Sequence, residues 1–200
     1  MALSQEELDK NWNKLVELIT KLGDRSESVS NLVDALGERL YLCPASGKDT
    51  YHNSFPGGLL DHSLRVLGNA VKLNSTFGWN LSKDSLIIAS LFHDLGKIGD
   101  LEREYYLPQT DQWRRDKLGE MYMYNKNMQY MTIPDRSIFL CQHFGVVLTL
   151  DEMLAIRLND GFIVEENRQY CLKEPLLAHV IMTADYISTM QEKNKFVESD

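Results

Sequence analysis

Apolar residues recur at helical spacing near the start of the chain. The first run opens with Ser4 and Glu7, which have the spacing of a capping box, and it stops at Gly23. The apolar positions of this run are Leu8, Trp12, Leu15, Leu18 or Ile19, and Leu22. Residues 27–40 show the same spacing. A period of three to four residues predicts two helices, each with one apolar face turned towards a core.

The same period predicts five further helices. Their predicted ranges are 58–78, 86–95, 134–143, 149–158 and 174–191. Ser82 precedes one of them as a candidate cap, and Pro134 suits the first turn of another. Thr149 and Glu152 form a second capping-box pair. These start signals support the helical pattern independently of the apolar period.

Residues 99–131 do not keep the helical period. Tyr105–Leu107 and Met121–Tyr124 instead have the composition of short strands. We therefore predict an all-α bundle with a small β-hairpin or lid around residues 103–125. The segment 121–131 is also rich in Met and Tyr. It is suited either to packing on the hairpin faces or to a wall that stacks a nucleobase.

Length and composition indicate one globular domain. The chain has 200 residues, of which 44% are hydrophobic and 25% charged. Its formal net charge of −8 argues against extended binding to nucleic acid, which depends on a basic surface. A small anionic substrate remains compatible with this charge, because a bound cation can supply positive potential locally.

Cysteine usage and the N-terminus favour a reducing, cytoplasmic location. Cys43, Cys141 and Cys171 are widely spaced and form no CxxC pair, so neither a disulfide framework nor a thiolate zinc site is indicated. The N-terminus lacks a basic region followed by an apolar one, which a signal peptide requires. The apolar runs are too short for a membrane span, and we expect no membrane association.

Four ionisable residues lie in apolar stretches where a charge needs a partner. His93 and Asp94 end the run Leu86–Phe92, His62 follows Leu59 and Leu60, and Asp185 lies among apolar residues. Histidine and aspartate are ligands that suit Zn, Mn, Fe, Co or Ni in a mixed nitrogen and oxygen site. Helical bundles build such sites from side chains that converge from facing helices.

These residues and their flanks resemble the HD superfamily of metal-dependent phosphohydrolases. The segment Gly57–Ser63 is similar to the family's GGLLEH(S/T), Leu91–Lys97 to LLHDIGK, and Ala184-Asp185 to the final AD. The resemblance spans residues 52–190 and implies an all-α HD-domain bundle. It implies a single domain over 1–200, with N-terminal helices at 1–45, a metal-binding core at 46–192 and a frayed tail at 193–200.

The resemblance also implies the chemistry of the site. It assigns a divalent metal ion to His62, His93, Asp94 and Asp185: Mn, Fe, Co, Ni or Zn, with Mg as a further candidate. One ion is expected, and a second would use His143, which follows Gln142 where two-metal members carry a second His. The metal activates water for attack on phosphorus. Asp94 is then both ligand and base or orienter of that water.

Other residues are candidates for holding substrate. Lys97 is placed to bind a phosphate oxygen, and the Gly57-Gly58 turn opens a helix whose N–H groups favour an anion. His52 matches an upstream His of HD-type exoribonucleases, which makes it a candidate for substrate or second-metal contact. Arg114 and Arg115 belong either to a solvated face or to a clamp for a polyphosphate.

The expected activity is hydrolysis of the phosphate ester or anhydride of a nucleotide or deoxynucleotide. Nucleotidase and triphosphohydrolase activities both remain open. One alternative is a phosphodiesterase that acts on cyclic nucleotides or RNA 3′ ends. A second is a catalytically inactive HD module that binds nucleotides or a partner, and a third is a two-iron oxygenase. The expected partner is a small-molecule nucleotide, and a homo-oligomer is an open alternative to a monomer.

Overall fold

The computed structural model describes residues 2–193, and within them the helical pattern of the sequence is realised. Short 3₁₀ turns lie between some of the helices, and the strands of a two-stranded sheet lie between the fourth and the sixth of the described α-helices. The elements are α1 (Gln5–Ile19), α2 (Ser26–Leu42), α3 (Gly58–Phe77), α4 (Lys83–Phe92), β1 (Tyr106–Pro108), α5 (Gln112–Leu118), β2 (Tyr122–Tyr124), α6 (Ile133–His143), α7 (Leu150–Arg157) and α8 (Leu176–Glu192). The predicted all-α fold with a small hairpin is confirmed.

The predicted helix starts are mostly built as expected. Complete capping boxes open α1 at Ser4 and α7 at Thr149. The Thr132 side chain caps α6, in whose first turn Pro134 lies. Ser82 precedes α4, but its side chain makes no capping hydrogen bond. Helix α2 contains a kink at Gly37, whose positive φ of 44° interrupts the helical backbone.

The hairpin pairs β1 with β2 in antiparallel register. Tyr106 lies opposite Tyr124, and Pro108 lies opposite Tyr122. The connection between the strands contains α5, which the sequence pattern did not predict. Asp111 caps this short helix, none of whose residues is buried. Because the helix contributes no residue to the core, the apolar period that marks the other helices is missing here.

Helix α3 packs against α4 and α8, and this packing forms the centre of the bundle. Val66 of α3, Ile88 of α4 and Ile181 of α8 are completely buried. On the far side, the 3₁₀ turn Leu95–Ile98 that follows α4 packs against α6. The C-terminal end of α4 therefore lies between α3, α6 and α8.

A partly buried ion pair joins the turn between α1 and α2 to α7. The Arg25 guanidinium lies 2.7 Å from the Glu152 carboxylate, whose side chain is fully buried. The same carboxylate accepts a hydrogen bond from the Thr149 N–H in the capping box. The two N-terminal helices are thus fixed to the rest of the bundle by charge as well as by apolar packing.

Three further findings bear on the predictions. No helix among residues 2–193 is long and apolar enough to cross a membrane. Cys43 and Cys141 are buried, and burial raises the pKa of each thiol to about 12, whereas Cys171 is exposed. Of the predicted frayed tail at 193–200, only Lys193, the C-cap of α8, lies within the described residues.

Candidate metal centre

Three helices bring the four predicted ligands to one place. His62 lies in the second turn of α3, and Asp185 lies in α8, which packs directly against α3. Helix α4 ends at Phe92, and His93 is its C-cap. Asp94 then leaves helical geometry with a φ of −113°. Because the helix ends here, two consecutive side chains can reach the same point.

The side chains meet at short distances in the interior. His62 Nε2 lies 3.0 Å from Asp185 Oδ1 and 3.9 Å from Asp94 Oδ2. His93 Nε2 lies 3.3 Å from His62 Nε2 and 3.5 Å from Asp94 Oδ2. Both imidazoles are completely buried, whereas 19% of the Asp185 side chain is exposed. The cluster is therefore open to solvent on the Asp185 side.

The outer nitrogen of each imidazole has its own acceptor. His93 Nδ1 lies 2.8 Å from the Ser90 carbonyl oxygen, and His62 Nδ1 lies 3.1 Å from both Glu192 carboxylate oxygens. Since these oxygens can only accept, both Nδ1 atoms carry protons. In neutral rings the two Nε2 lone pairs would then face each other and two carboxylates. A cation relieves that repulsion, so the donor set fits a metal ion.

The pKa values of His62 and Asp94 are shifted by the charged groups around them. Burial alone would lower the pKa of His62, but hydrogen bonds to Asp185 and Glu192 outweigh burial and raise it to about 9. Burial opposes ionisation of Asp94, yet the charges of Lys97 and His93 hold its pKa well below the usual value. Without a metal ion, a proton on His62 supplies the positive charge that the carboxylates require.

Lys97 reaches the cluster from the 3₁₀ turn after α4. Its Nζ lies 2.5 Å from Asp94 Oδ2, and this carboxylate raises the pKa of Lys97 despite burial. The turn is fixed at Gly96, whose N–H donates to Ser137 Oγ and whose carbonyl accepts from Arg136. Lys97 is thereby held between the cluster and α6.

His52 also lies at the cluster, next to His62. The two ring centroids are 4.6 Å apart. Burial is the main reason that the pKa of His52 falls to about 3, so the ring is neutral at physiological pH. Its Nε2 is buried and has no hydrogen-bond partner. A buried ring nitrogen without a partner is suited to contact with a bound ligand.

Two residues at the cluster were missed by sequence reasoning. The first is Glu192, which lies just beyond the predicted helix 174–191. The observed helix α8 includes it, seven residues after Asp185, a spacing that puts both on one face. The second is Asn159, which follows the predicted helix 149–158 and had no feature that marked it as a functional residue. It is buried, and its Nδ2 lies 3.5 Å from Asp94 Oδ1. Its own Oδ1 has no partner.

Other predicted residues are not brought to the cluster. His143 is exposed at the end of α6, where its ring contacts Phe139 and Phe144, and it belongs to neither of the groups of three donors found among residues 2–193. The prediction of His143 as a second-metal ligand therefore lacks structural support. Arg114 and Arg115 lie exposed on α5, with Arg114 paired to Glu120 at 2.9 Å.

The Gly57-Gly58 turn packs closely against neighbouring backbone, and its N–H groups at Gly58 and Leu59 are already hydrogen-bonded. The Gly58 and Leu59 N–H groups already donate to the carbonyls of Phe55 and Cys43. Gly57 adopts a positive φ of 77°, and a Cβ at Gly58 would collide with the Asn53 backbone. These two N–H groups are therefore not available to a phosphate.

A cavity of about 400 Å³ borders Lys97 on the hairpin side. Tyr106 and Tyr122 form part of its wall, together with Cys43 and Pro44. The rim carries charged residues from α2, including Arg39. Its volume lies within the usual range for small-molecule sites, and Lys97 is shared between this cavity and the cluster.

Comparison with known proteins identifies the family. No curated protein and no solved structure gave a match. A family model described as HD domain matches residues 59–190, which include His62, His93, Asp94 and Asp185. The HD domain is characteristic of a superfamily of metal-dependent phosphohydrolases. The chain therefore belongs to the HD-domain family of metal-dependent hydrolases.

Proposed function

We propose that the protein hydrolyses a phosphate ester or anhydride of a nucleotide at one divalent cation held by His62, His93, Asp94 and Asp185. The observation that carries this proposal is the pair of buried imidazoles whose Nε2 atoms lie 3.3 Å apart and face two carboxylates. Their mixed nitrogen and oxygen donors suit Mn, Fe, Co, Ni or Zn better than Mg.

Several residues of the chain would have separate roles around that cation. When bound, the cation lowers the pKa of a water molecule towards neutrality and polarises a phosphoryl oxygen. Asp94 orients the attacking water through a carboxylate that Asn159 holds from the other side. Lys97 donates to a phosphate oxygen, and its ammonium pairs with Asp94 when no substrate is bound. The exposed edge of Asp185 leaves room for the substrate to enter.

A nucleotide is the substrate that the surroundings favour. The cavity beside Lys97 offers the Tyr106 and Tyr122 rings, on which a base can stack. Through its unpartnered Nε2, His52 can donate to a phosphate oxygen or accept from a sugar hydroxyl, depending on its tautomer. The net charge of −8 disfavours a long polyanion and leaves a small nucleotide as the better match.

A substrate panel tests this proposal. Ribo- and deoxyribonucleoside mono-, di- and triphosphates are incubated with Mn²⁺, Co²⁺ or Ni²⁺, and the products are separated by chromatography. We expect selective cleavage of one class, and the released species reports how many phosphates leave. The absence of cleavage by protein with measured bound metal would reject the hydrolase in favour of a binding module or a two-iron oxygenase.

A phosphodiesterase is the second candidate, and His52 is the observation that favours it. A neutral imidazole next to the cluster could contact the second ester oxygen of a diester. Cyclic nucleotides, cyclic dinucleotides and short RNA 3′ ends therefore belong in the same panel. Cleavage of a diester without release of inorganic phosphate would select this candidate over the nucleotidase.

A further inference from the structure

Glu192 is a buried acid at the last position of α8. Only 1% of its side chain is exposed, and both of its carboxylate oxygens lie 3.1 Å from His62 Nδ1. Its second partner is Arg65, whose Nε lies 3.2 Å from the same carboxylate. A buried carboxylate is unfavourable without partners, and these two side chains satisfy it.

A different role for Glu192 would be that of a ligand. Together with His52 and His62 it forms a group of three donors that could hold a cation. With Nε2 of His62 directed at the proposed metal site, a second cation at Nδ1 would require the ring to lose both protons and become a negatively charged imidazolate. The Arg65 guanidinium would also compete with the cation for Glu192. The geometry thus favours a hydrogen bond over a second site.

We propose that Glu192 is a positioning residue for the metal centre and acts through His62. By accepting the Nδ1 proton, the carboxylate fixes the ring orientation and directs the Nε2 lone pair towards Asp185 and His93. A carboxylate on the outer nitrogen also makes the imidazole a stronger ligand. This role rests on the metal centre alone and does not depend on which substrate is cleaved.

The contacts of Arg65 explain why the carboxylate stays in place. Arg65 lies one turn after Asp61 on α3, and its Nη2 is 3.4 Å from Asp61 Oδ2. It also faces solvent, with 42% of its side chain exposed. Glu192 therefore has one partner in the metal centre and one at the surface, which joins the end of α8 to α3.

Metal titration of the full chain tests the proposal. Co²⁺ and Zn²⁺ dissociation constants are measured by competition with a chelating dye for the wild type and Glu192→Ala. We expect Glu192→Ala to bind about 10–100-fold more weakly, as for other residues that support a metal ligand. Ser188→Ala is the matched control, because Ser188 is buried on the same helix and bonds Asn69 instead of a metal-facing residue.

The control separates positioning from general loss of stability. Ser188→Ala is expected to lower the melting temperature and leave the metal dissociation constant within twofold of wild type. A dissociation constant for Glu192→Ala that changes no more than that of Ser188→Ala would overturn the proposal. Failure of the wild type to bind either metal would overturn both this proposal and the proposed function.

A conservative variant and a spectroscopic signal complete the test. Glu192→Gln retains an acceptor oxygen but no charge, so we expect an intermediate loss of affinity, and it replaces Glu192→Ala if the latter does not fold. In Zn²⁺-loaded wild type, the hydrogen-bonded Nδ1 proton of His62 should give a downfield NMR resonance. That resonance should move in Glu192→Gln; an unchanged resonance with unchanged affinity would contradict the role.

Discussion

Asp94 is the residue on which most contacts of the cluster converge. Its Oδ2 lies 2.5 Å from Lys97 and 3.5 Å from His93, and its Oδ1 lies 3.5 Å from Asn159. A single buried carboxylate thus balances an ammonium, faces an imidazole and is oriented by an amide. Substitutions of Asp94 and Lys97 separate metal binding from phosphate binding. The Asp94 carboxylate is suited to hold a cation, whereas the Lys97 ammonium is suited to hold a phosphate.

Asp94→Asn is expected to abolish turnover and reduce bound metal while the fold persists. The amide keeps the shape of the carboxylate but loses the negative charge that a cation requires. Phosphate release, metal content by elemental analysis and helicity by circular dichroism provide the measurements. Retention of full turnover by Asp94→Asn would remove this residue from the proposed site.

Lys97→Met is expected to lower kcat/KM with metal content unchanged. The variant keeps the length of the side chain and removes a charge-assisted hydrogen bond to phosphate, worth about 1.5–3 kcal/mol or roughly 10–150-fold. Steady-state kinetics on the best substrate of the panel, together with metal analysis, provide the measurement. Loss of metal in this variant would show that Lys97 supports the cluster itself.

At the scale of elements, the 3₁₀ turn Leu95–Ile98 packs on α6, and this contact fixes the positions of Asp94 and Lys97 at the cluster. Gly96 lies at the contact, where its N–H meets Ser137 and its carbonyl meets Arg136. A Cβ at Gly96 would collide with the Ile133 carbonyl oxygen, which is backbone and cannot turn away. The close approach of the turn and α6 therefore depends on glycine.

Gly96→Ala should destabilise the protein by about 1–3 kcal/mol, because the added methyl group overpacks the contact between the turn and α6. Gly68→Ala is the matched control, since Gly68 lies in α3 with nothing within 4 Å of an added Cβ. This second change should be neutral or stabilise by up to about 1 kcal/mol. Urea unfolding measures both, and equal effects would contradict the packing argument.

Arg25→Ala should destabilise the link between the N-terminal helices and α7. It leaves the fully buried Glu152 side chain without its cation, which costs about 3–5 kcal/mol for a buried pair. Lys14→Ala removes one partner of an exposed pair with Glu17, and because solvent screens this pair the stability should hardly change. A loss of stability for Arg25→Ala no greater than that for Lys14→Ala would show that water solvates Glu152.

For the whole molecule, a site residue could be predicted when its neighbours in the sequence marked it. A residue whose role depends on a partner far away in the sequence could not be predicted. His62, His93, Asp94 and Asp185 each stood out as an ionisable group in an apolar run, and the structure brings them together. Glu192 had no such signal, because its partner His62 lies 130 residues away. Helix α5 was missed for the related reason that it buries nothing.

Metal removal should affect the stability of the entire bundle, because α3, α4 and α8 all contribute to the cluster. A ligand at 100 times its dissociation constant stabilises a folded protein by about 2.7 kcal/mol. Addition of Zn²⁺ or Mn²⁺ to chelator-treated protein should therefore raise the melting temperature, and His93→Ala should abolish the rise. An equal rise in His93→Ala would assign the effect to other groups on the chain.

The position of Glu192 bears on where this domain ends. The family match stops at residue 190, and Glu192 lies two residues later. A protein truncated at residue 190 would keep the proposed ligands His62, His93, Asp94 and Asp185. It would lose the Glu192 carboxylate that lies against His62 Nδ1. With the proposed role of Glu192, the functional unit extends beyond the matched segment 59–190, and relatives should be compared through the final turn of α8.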